Sequence, residues 1–223
     1  MSKNIVDSVI SLDSPNFALI PTRRQIDFDG GYVNNWTTKT FHDYIRRTSD
    51  IIIARDHGGQ LQGSSGGSWL NSYMTDTEYF DIIHIDPWKL YKNNFNDGVL
   101  TTIKTMKYLY GLNPKVKFEI GTEAAIRKFS VEEFSQFMST IYNSVSTDVF
   151  NNIEFVVIQS GVNINLLTME NTEIFNLPRL HKMVDIVNSY DKKTKEHNGD
   201  YLSNEEIELR FNNGVDAINI GPS

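Results

Sequence analysis

The chain contains no cysteine, which excludes disulfides, thiolate metal sites and a cysteine nucleophile. It also has no long apolar run. Ile51–Ile53 and Phe155–Ile158 represent its longest, far below the ~18 residues that a membrane helix needs. The opening MSKNIVDS carries no apolar signal-peptide core, so the expected setting is cytoplasmic, with no membrane partner. Basic residues are not in excess: 21 Lys and Arg against 28 Asp and Glu leave a net charge of −7. That balance argues against a nucleic-acid surface, which needs a basic stripe. It leaves room for a small anion held by a few local cations. No GxGxxG or P-loop follows an apolar run, which argues against a nucleotide site. There is no internal repeat and no linker. What is present is 223 residues, 39% hydrophobic and 22% charged, the composition of one globular domain spanning 1–223.

Short apolar runs alternate with longer segments of helical period. Strands are expected at Phe17–Ile20, Ile51–Ala54, Phe80–Ile85, Val116–Ile120, Glu154–Ile158, Thr194–His197 and Ala217–Ile220. Helices are expected from the Thr37–Thr40 cap to about Arg47, over Asp97–Tyr110, after the capping box Ser130-Val131-Glu132-Glu133, over Leu180 to about Tyr190, and from Ser203-Asn204-Glu205-Glu206 to Gly214. Strand–helix alternation with β-branched strands implies a parallel sheet, and both a doubly wound sheet and a barrel fit that rhythm. The low-complexity stretch Gly58–Ser68 follows the second strand. The segment from Gly58 to Trp69 is expected to act as a mobile lid.

Unusual polar residues gather at the carboxyl ends of the strands. In order these ends read Thr22-Arg23-Arg24-Gln25, Arg55-Asp56-His57, His84-Ile85-Asp86, Gly121-Thr122-Glu123, Gln159-Ser160-Gly161, His197 with Asp200, and Asn219. One polar strand end is commonly a packing residue. Seven together point to a site, and in a barrel they ring one face. The expected fold is therefore a TIM (β/α)₈-type α/β barrel that ends after strand seven. His57, His197 and a carboxylate, Glu123 or Asp86, are ligands of the kind that hold Zn²⁺, Mn²⁺ or Co²⁺. Asp56, beside His57, is a candidate general acid/base. Arg23, Arg24 and Arg55 read either as a clamp for an anionic group or as barrel-mouth ion pairs. His42 and His181 fall within helical segments and read as surface or packing residues, and Trp88 as a pocket wall or a loop seal.

The ordered series Gln25…Gly30-Gly31-Tyr32, Asp56-His57-x-Gly, Ile83-His84-Ile85-Asp86, Ile120-Gly121-Thr122-Glu123, Val156-Val157-x-Gln159-x-Gly161, His197-x-x-Asp200-Tyr201 and Gly221-Pro222 resembles the accessory, non-catalytic subunit of class II tagatose-1,6-bisphosphate aldolase. The resemblance runs from about Phe17 to Ser223. It implies a TIM barrel in sugar-phosphate metabolism, with relatives that act as metal-dependent ketose 4-epimerases. The Asp-His pair is also similar to that of class II fructose-bisphosphate aldolases, which implies an acid/base role for Asp56 and zinc binding by His57. His197 would then be a second ligand and Glu123 a third. Asp86 and Glu123 join Asp56 as candidate catalytic carboxylates. Gln25, Arg23, Arg24, Arg55, Gln159, Asp200 and Asn219 are the candidate substrate-binding residues. The chain departs from the family at Arg23-Arg24 and Arg55, and in its Gly- and Ser-rich loop. Two functions follow: an aldolase or epimerase acting on a sugar or sugar phosphate with a divalent metal, or a stabilising subunit of a class II aldolase. The expected partners are that substrate, and either a catalytic aldolase subunit or further copies of this chain.

Overall fold

A computed structural model describes residues 2–63, 68–165 and 167–221. In chain order its strands are β1 (Ala18–Leu19), β2 (Ile52–Gly58), β3 (Ile82–Ile85), β4 (Lys117–Ile120), β5 (Ile153–Ile158), β6 (Ile164–Asn165), β7 (Glu170–Asn171), β8 (Lys193–Glu196) and β9 (Ala217–Ile218). The helices are α1 (Lys3–Ser11), α2 (Thr38–Arg46), α3 (Trp69–Tyr79), α4 (Phe95–Leu112), α5 (Val131–Ser144), α6 (Thr147–Asn151), α7 (Leu177–Asn188) and α8 (Asn204–Phe211). Seven strands form one sheet in the order β1-β2-β3-β4-β5-β8-β9, and every pairing in it is parallel. Sequential strands are neighbours, as a barrel requires. β6 and β7 form a separate antiparallel hairpin.

Helix starts follow local chemistry. Thr37, Ser130 and Ser203 each close a capping box with the residue three positions on, satisfying amide groups that the first turn leaves unpaired. The sequence reading missed α1, α3, α6 and the β6–β7 hairpin. α3 hides because its buried face includes Ser72, Asp76 and Thr77, which blurs the apolar period. Among the described residues, no helix is long and apolar enough to cross a membrane.

Strand alternation places the core. Phe118 and Ile120 of β4, and Ile83 and Ile85 of β3, join the large apolar cluster with Met106, Phe137 and Met183 of the covering helices. A second cluster packs Leu19 and Ile53 against Val6, Phe41 and Ile45. Alternation then turns His84 and Glu119 to the sheet's other, concave face. The curl of that face is measurable. In a flat sheet at ~4.8 Å per strand, β2 and β8 would lie about 19 Å apart. Yet the His57 and His197 ring centroids are 5.0 Å apart, and those of His84 and His197 are 5.1 Å apart. The sheet is therefore a curled, TIM-like half-barrel. β1 and β9 are its two edges.

Candidate active site

Asp56 and His57 are consecutive, so in a regular strand their side chains would face opposite ways. The β2–β3 register shifts between Arg55 and Gly58, and His57 adopts φ +46°, a left-handed conformation that is costly for a residue with a Cβ. This kink brings both side chains to the concave face. Beyond β4, the chain turns at Gly121 with φ +105°, where a Cβ would lie 3.0 Å from the Val157 carbonyl. Only glycine fits there, and the turn carries Glu123 toward His57.

Two imidazole nitrogens face two carboxylate oxygens. His57 Nε2 lies 3.8 Å from Asp56 Oδ1 and 3.8 Å from Glu123 Oε2. His197 Nδ1 lies 3.9 Å and 4.0 Å from the same two oxygens. Each imidazole is backed by a buried carboxylate on its far nitrogen: His57 Nδ1 is 2.7 Å from Asp86 Oδ2, and His197 Nε2 is 2.7 Å from Glu119 Oε1. Asn219 Nδ2 donates to Asp56 Oδ1 at 3.2 Å and touches His197 Nε2 at the same distance.

His84 also approaches this group, and atoms of Asp56, His57, His84 and His197 lie within 4.8 Å of one another. Both its ring nitrogens are engaged, however. Nδ1 accepts the His57 amide at 3.3 Å, and Nε2 lies 3.1 Å from the Gly121 carbonyl. Burial holds His84 below the ordinary histidine range. It is a neutral packing histidine that supports the β2 kink.

The electrostatics follow from this crowding. Burial alone would lower the His57 imidazole, but Asp56, Asp86 and Glu123 outweigh it and push its pKa up to about 10. Burial opposes ionisation of Glu119, yet Lys195, His84 and His197 hold its carboxyl well below the usual range. Asp86 is likewise lowered against its burial by the hydrogen bond to His57. The half-buried Asp200 carboxyl is raised by burial, with Asp56 and Glu123 adding to the effect.

Asp56, His57, Glu123 and His197 form one wall of a cavity of about 260 Å³. Gln25, Asp200 and Asn219 also line it. Ile5 and Val9 of α1, with Leu19, Ile20 and Ile164, supply an apolar wall. The structure thus brings together Asp56, His57, Glu123, His197, Asp200, Asn219 and Gln25.

It does not bring the other candidates to the cavity. Arg55 is fully buried and bidentate to Asp76 at 2.7 Å, and it also donates to the Pro21 and Ile26 carbonyls. Arg23 is buried, paired with Asp27 and donating to the Gly59 carbonyl. Arg24 is exposed and lines a separate depression with Tyr32. Of the two readings of these arginines, Arg23 and Arg55 follow the ion-pair one. Gln159 is spent on the Phe129 amide and on the Thr122 and Arg127 carbonyls. Asp86 is fully buried behind His57, where it also accepts from Thr122, Gln62 and the Trp88 amide. It therefore acts on His57 and does not face the cavity.

Trp88 is a core residue packed on Phe95, Phe129 and Phe137. Of the proposed lid, 64–67 lie outside the described residues. Its described ends are anchored: Gly58 belongs to β2, buried Gln62 donates to the Asp86 carbonyl, and Ser68 caps α3. The reading of strand ends missed Glu119 and Lys195. The signal for Glu119 is a charge alternating with apolar residues inside a buried strand, Lys117–Ile120; the polar segment Lys193–Glu196 offers none for Lys195.

No family model matches the chain, and no curated protein does. Solved structures do. The YdjI aldolase from Escherichia coli K12 superposes with a TM-score of 0.65 at 14% identity, over 97% of this chain and 69% of that one. QR15, an aldolase, superposes with a TM-score of 0.51 at 9% identity, over 93% and 90%. What the chain shares with these two aldolases is its fold, an α/β half-barrel of the TIM type.

Proposed function

We propose that this chain carries out metal-dependent aldol chemistry, as an aldolase or a ketose 4-epimerase, on a ketose or ketose phosphate. The observation that carries the reading is that the His57 and His197 imidazoles each lie 3.8–4.0 Å from the same two carboxylate oxygens, those of Asp56 and Glu123. Ligands of an ion with bonds of ~2.1 Å stand about 3.4 Å apart, and the two imidazole-to-Glu123 pairs, at 3.8 and 4.0 Å, would close by roughly half an ångström to reach that. Nitrogen and oxygen donors without thiolate suit Zn²⁺, Mn²⁺ or Co²⁺. His57, His197 and Glu123 would hold the ion, which when bound polarises a substrate carbonyl.

The chain's own residues supply the rest. Asp56, steadied by Asn219, takes the proton from the C4 hydroxyl as the C3–C4 bond breaks. The bond's electron pair passes into the conjugated C2 carbonyl to give an enediolate. Returning the proton after bond formation on the same face of the aldehyde reverses cleavage, and on the opposite face it inverts C4. Retro-aldol and epimerase activities therefore share one intermediate, the enediolate. The aliphatic wall excludes water from the enediolate. The resemblance to the tagatose-bisphosphate aldolase accessory subunit supports a ketose as substrate, and the shared fold with two aldolases supports the reaction class.

The test is incubation of the purified chain with a panel of ketoses, ketose 1-phosphates and ketose bisphosphates plus Zn²⁺, Mn²⁺ or Co²⁺, followed by NMR. The expected result is cleavage or C4 inversion of at least one, abolished by chelation and by Asp56→Asn, with metal still bound to the variant. Full activity of Asp56→Asn would remove Asp56 from the mechanism. The stabilising-subunit reading draws on the sheet edges β1 and β9, which pair with no further strand among the described residues. It predicts the contrary outcome: no turnover alone, and a gain in activity when a class II aldolase is mixed in.

A further inference from the structure

On the concave face, Lys195 is buried, with Nζ 2.5 Å from Glu119 Oε2 and 5.5 Å from the Phe155 ring. The other Glu119 oxygen is 2.7 Å from His197 Nε2. Lys195 and His197 are two residues apart and share one face of the β8 segment. Glu119 reaches them from β4, two strands away. Stripping water from an ammonium group is costly, and nothing in the proposed reaction uses this lysine.

We propose that the buried Lys195–Glu119 pair is a positioning device for His197. It fixes the imidazole proton on Nε2 and leaves the Nδ1 lone pair facing Asp56 and Glu123. The consequence for metal binding rests on the function proposed above, whereas the tautomer does not.

Acceptors and donors match in number. A carboxylate has two oxygens, and here two donors converge on it. Lys195 takes Oε2, and Oε1 lies 2.7 Å from His197 Nε2, closer than the Asn219 amide nitrogen at 3.2 Å, so the shorter contact, to an acceptor, places the proton on Nε2. His84 Nδ1 lies 3.6 Å from the same Oε1. It offers no competing proton, because it accepts the His57 amide. The Lys195 charge also offsets that of Glu119, which would otherwise be buried and uncompensated. Outer partners of this kind set ligand orientation and basicity, and their loss typically costs ~10–100-fold in metal affinity.

The test uses the full chain, metal-free and ¹⁵N-labelled. The His197 tautomer is read from long-range ¹H–¹⁵N couplings, and Co²⁺ affinity is read separately by titration. Wild type is expected to carry the His197 proton on Nε2. A folded Lys195→Met, whose uncompensated Glu119 carboxylate is driven to turn from the buried site toward water, is expected to show a mixed tautomer and a fall in Co²⁺ affinity of ~10–100-fold. Glu119→Gln/Lys195→Met, which removes both buried charges and leaves an amide oxygen for His197, should recover the Nε2–H form. If Lys195→Met does not fold, the spectrum is read on Glu119→Met/Lys195→Met. That variant buries no charge and should lack the Nε2–H form that the Gln/Met variant keeps. A wild-type His197 protonated on Nδ1, or a folded Met variant with wild-type tautomer and affinity, overturns the proposal. Tautomer shifts as expected in a protein that binds no Co²⁺ would leave the positioning device standing and remove the metal-dependent function.

Discussion

His57 holds a left-handed backbone, a hydrogen bond to Asp86 and two further carboxylates near its free nitrogen. In the metal-free protein these carboxylates raise its pKa from 6.5 to about 10. A raised folded-state value means that the protonated form stabilises the fold. The contribution is complete below about 6.5 and is lost as pH rises through about 10. The melting temperature of chelator-treated protein should therefore fall between about pH 7 and pH 10, and His57→Gln should flatten that slope; an equal slope in the two proteins would contradict the assignment. At this scale the sequence is most legible where polar residues end a strand. Asp56, His57 and Glu123 could be read as a group because each follows an apolar run, and His197 because it ends the segment Thr194–His197 in the same strand–helix rhythm. Glu119 and Lys195 could not, because their partners lie two strands apart and meet only through the curl. Arg23 and Arg55 look identical in sequence to a substrate clamp. Only the positions of Asp27 and Asp76 show that their charge is already matched.

β2 shows how one element sets the site. Its kink turns Asp56 and His57 to the same side, while Arg55, one residue earlier, points outward into the α2–α3 layer. There it pairs with Asp76 of α3, hydrogen-bonds Thr38 of α2 and stacks over Phe80 at 4.9 Å. Removing one partner of a buried pair leaves an uncompensated charge, at a cost of ~3–5 kcal/mol. Arg55→Met should lower unfolding stability by about that much in chemical denaturation, and Arg55→Met/Asp76→Leu should cost less than the single change. Equal stability of Arg55→Met and wild type would mean that the pair does not tie β2 to α3. The same tie explains why α3 was illegible: its buried face is built for a guanidinium, and a hydrophobic period cannot register that. α1 was legible and went unread, since Ile5, Val6, Val9 and Ile10 recur at helical spacing. The capping box of α5 and the helix starts at Thr37 and Ser203 are legible because a capping residue and its partner stand three residues apart.

Across the whole molecule, strand–helix alternation predicted the parallel sheet and its sequential order. Polar residues confined to strand carboxyl ends predicted that those ends converge. Local pattern does not encode how tightly the sheet curls, so the 5 Å approach of imidazoles from β2, β3 and β8 emerges only in three dimensions. That curl gathers a row of strand ends into the proposed ligand set, whose test is whether it binds an ion. The direct measurement is divalent metal content per chain, by elemental analysis after loading and dialysis, for wild type, His57→Ala and His197→Ala. The account predicts about one ion per wild-type chain, at the zinc-type affinity of a site with two imidazoles, and close to none in either variant. A wild-type chain without metal, or variants that retain it, would contradict the account.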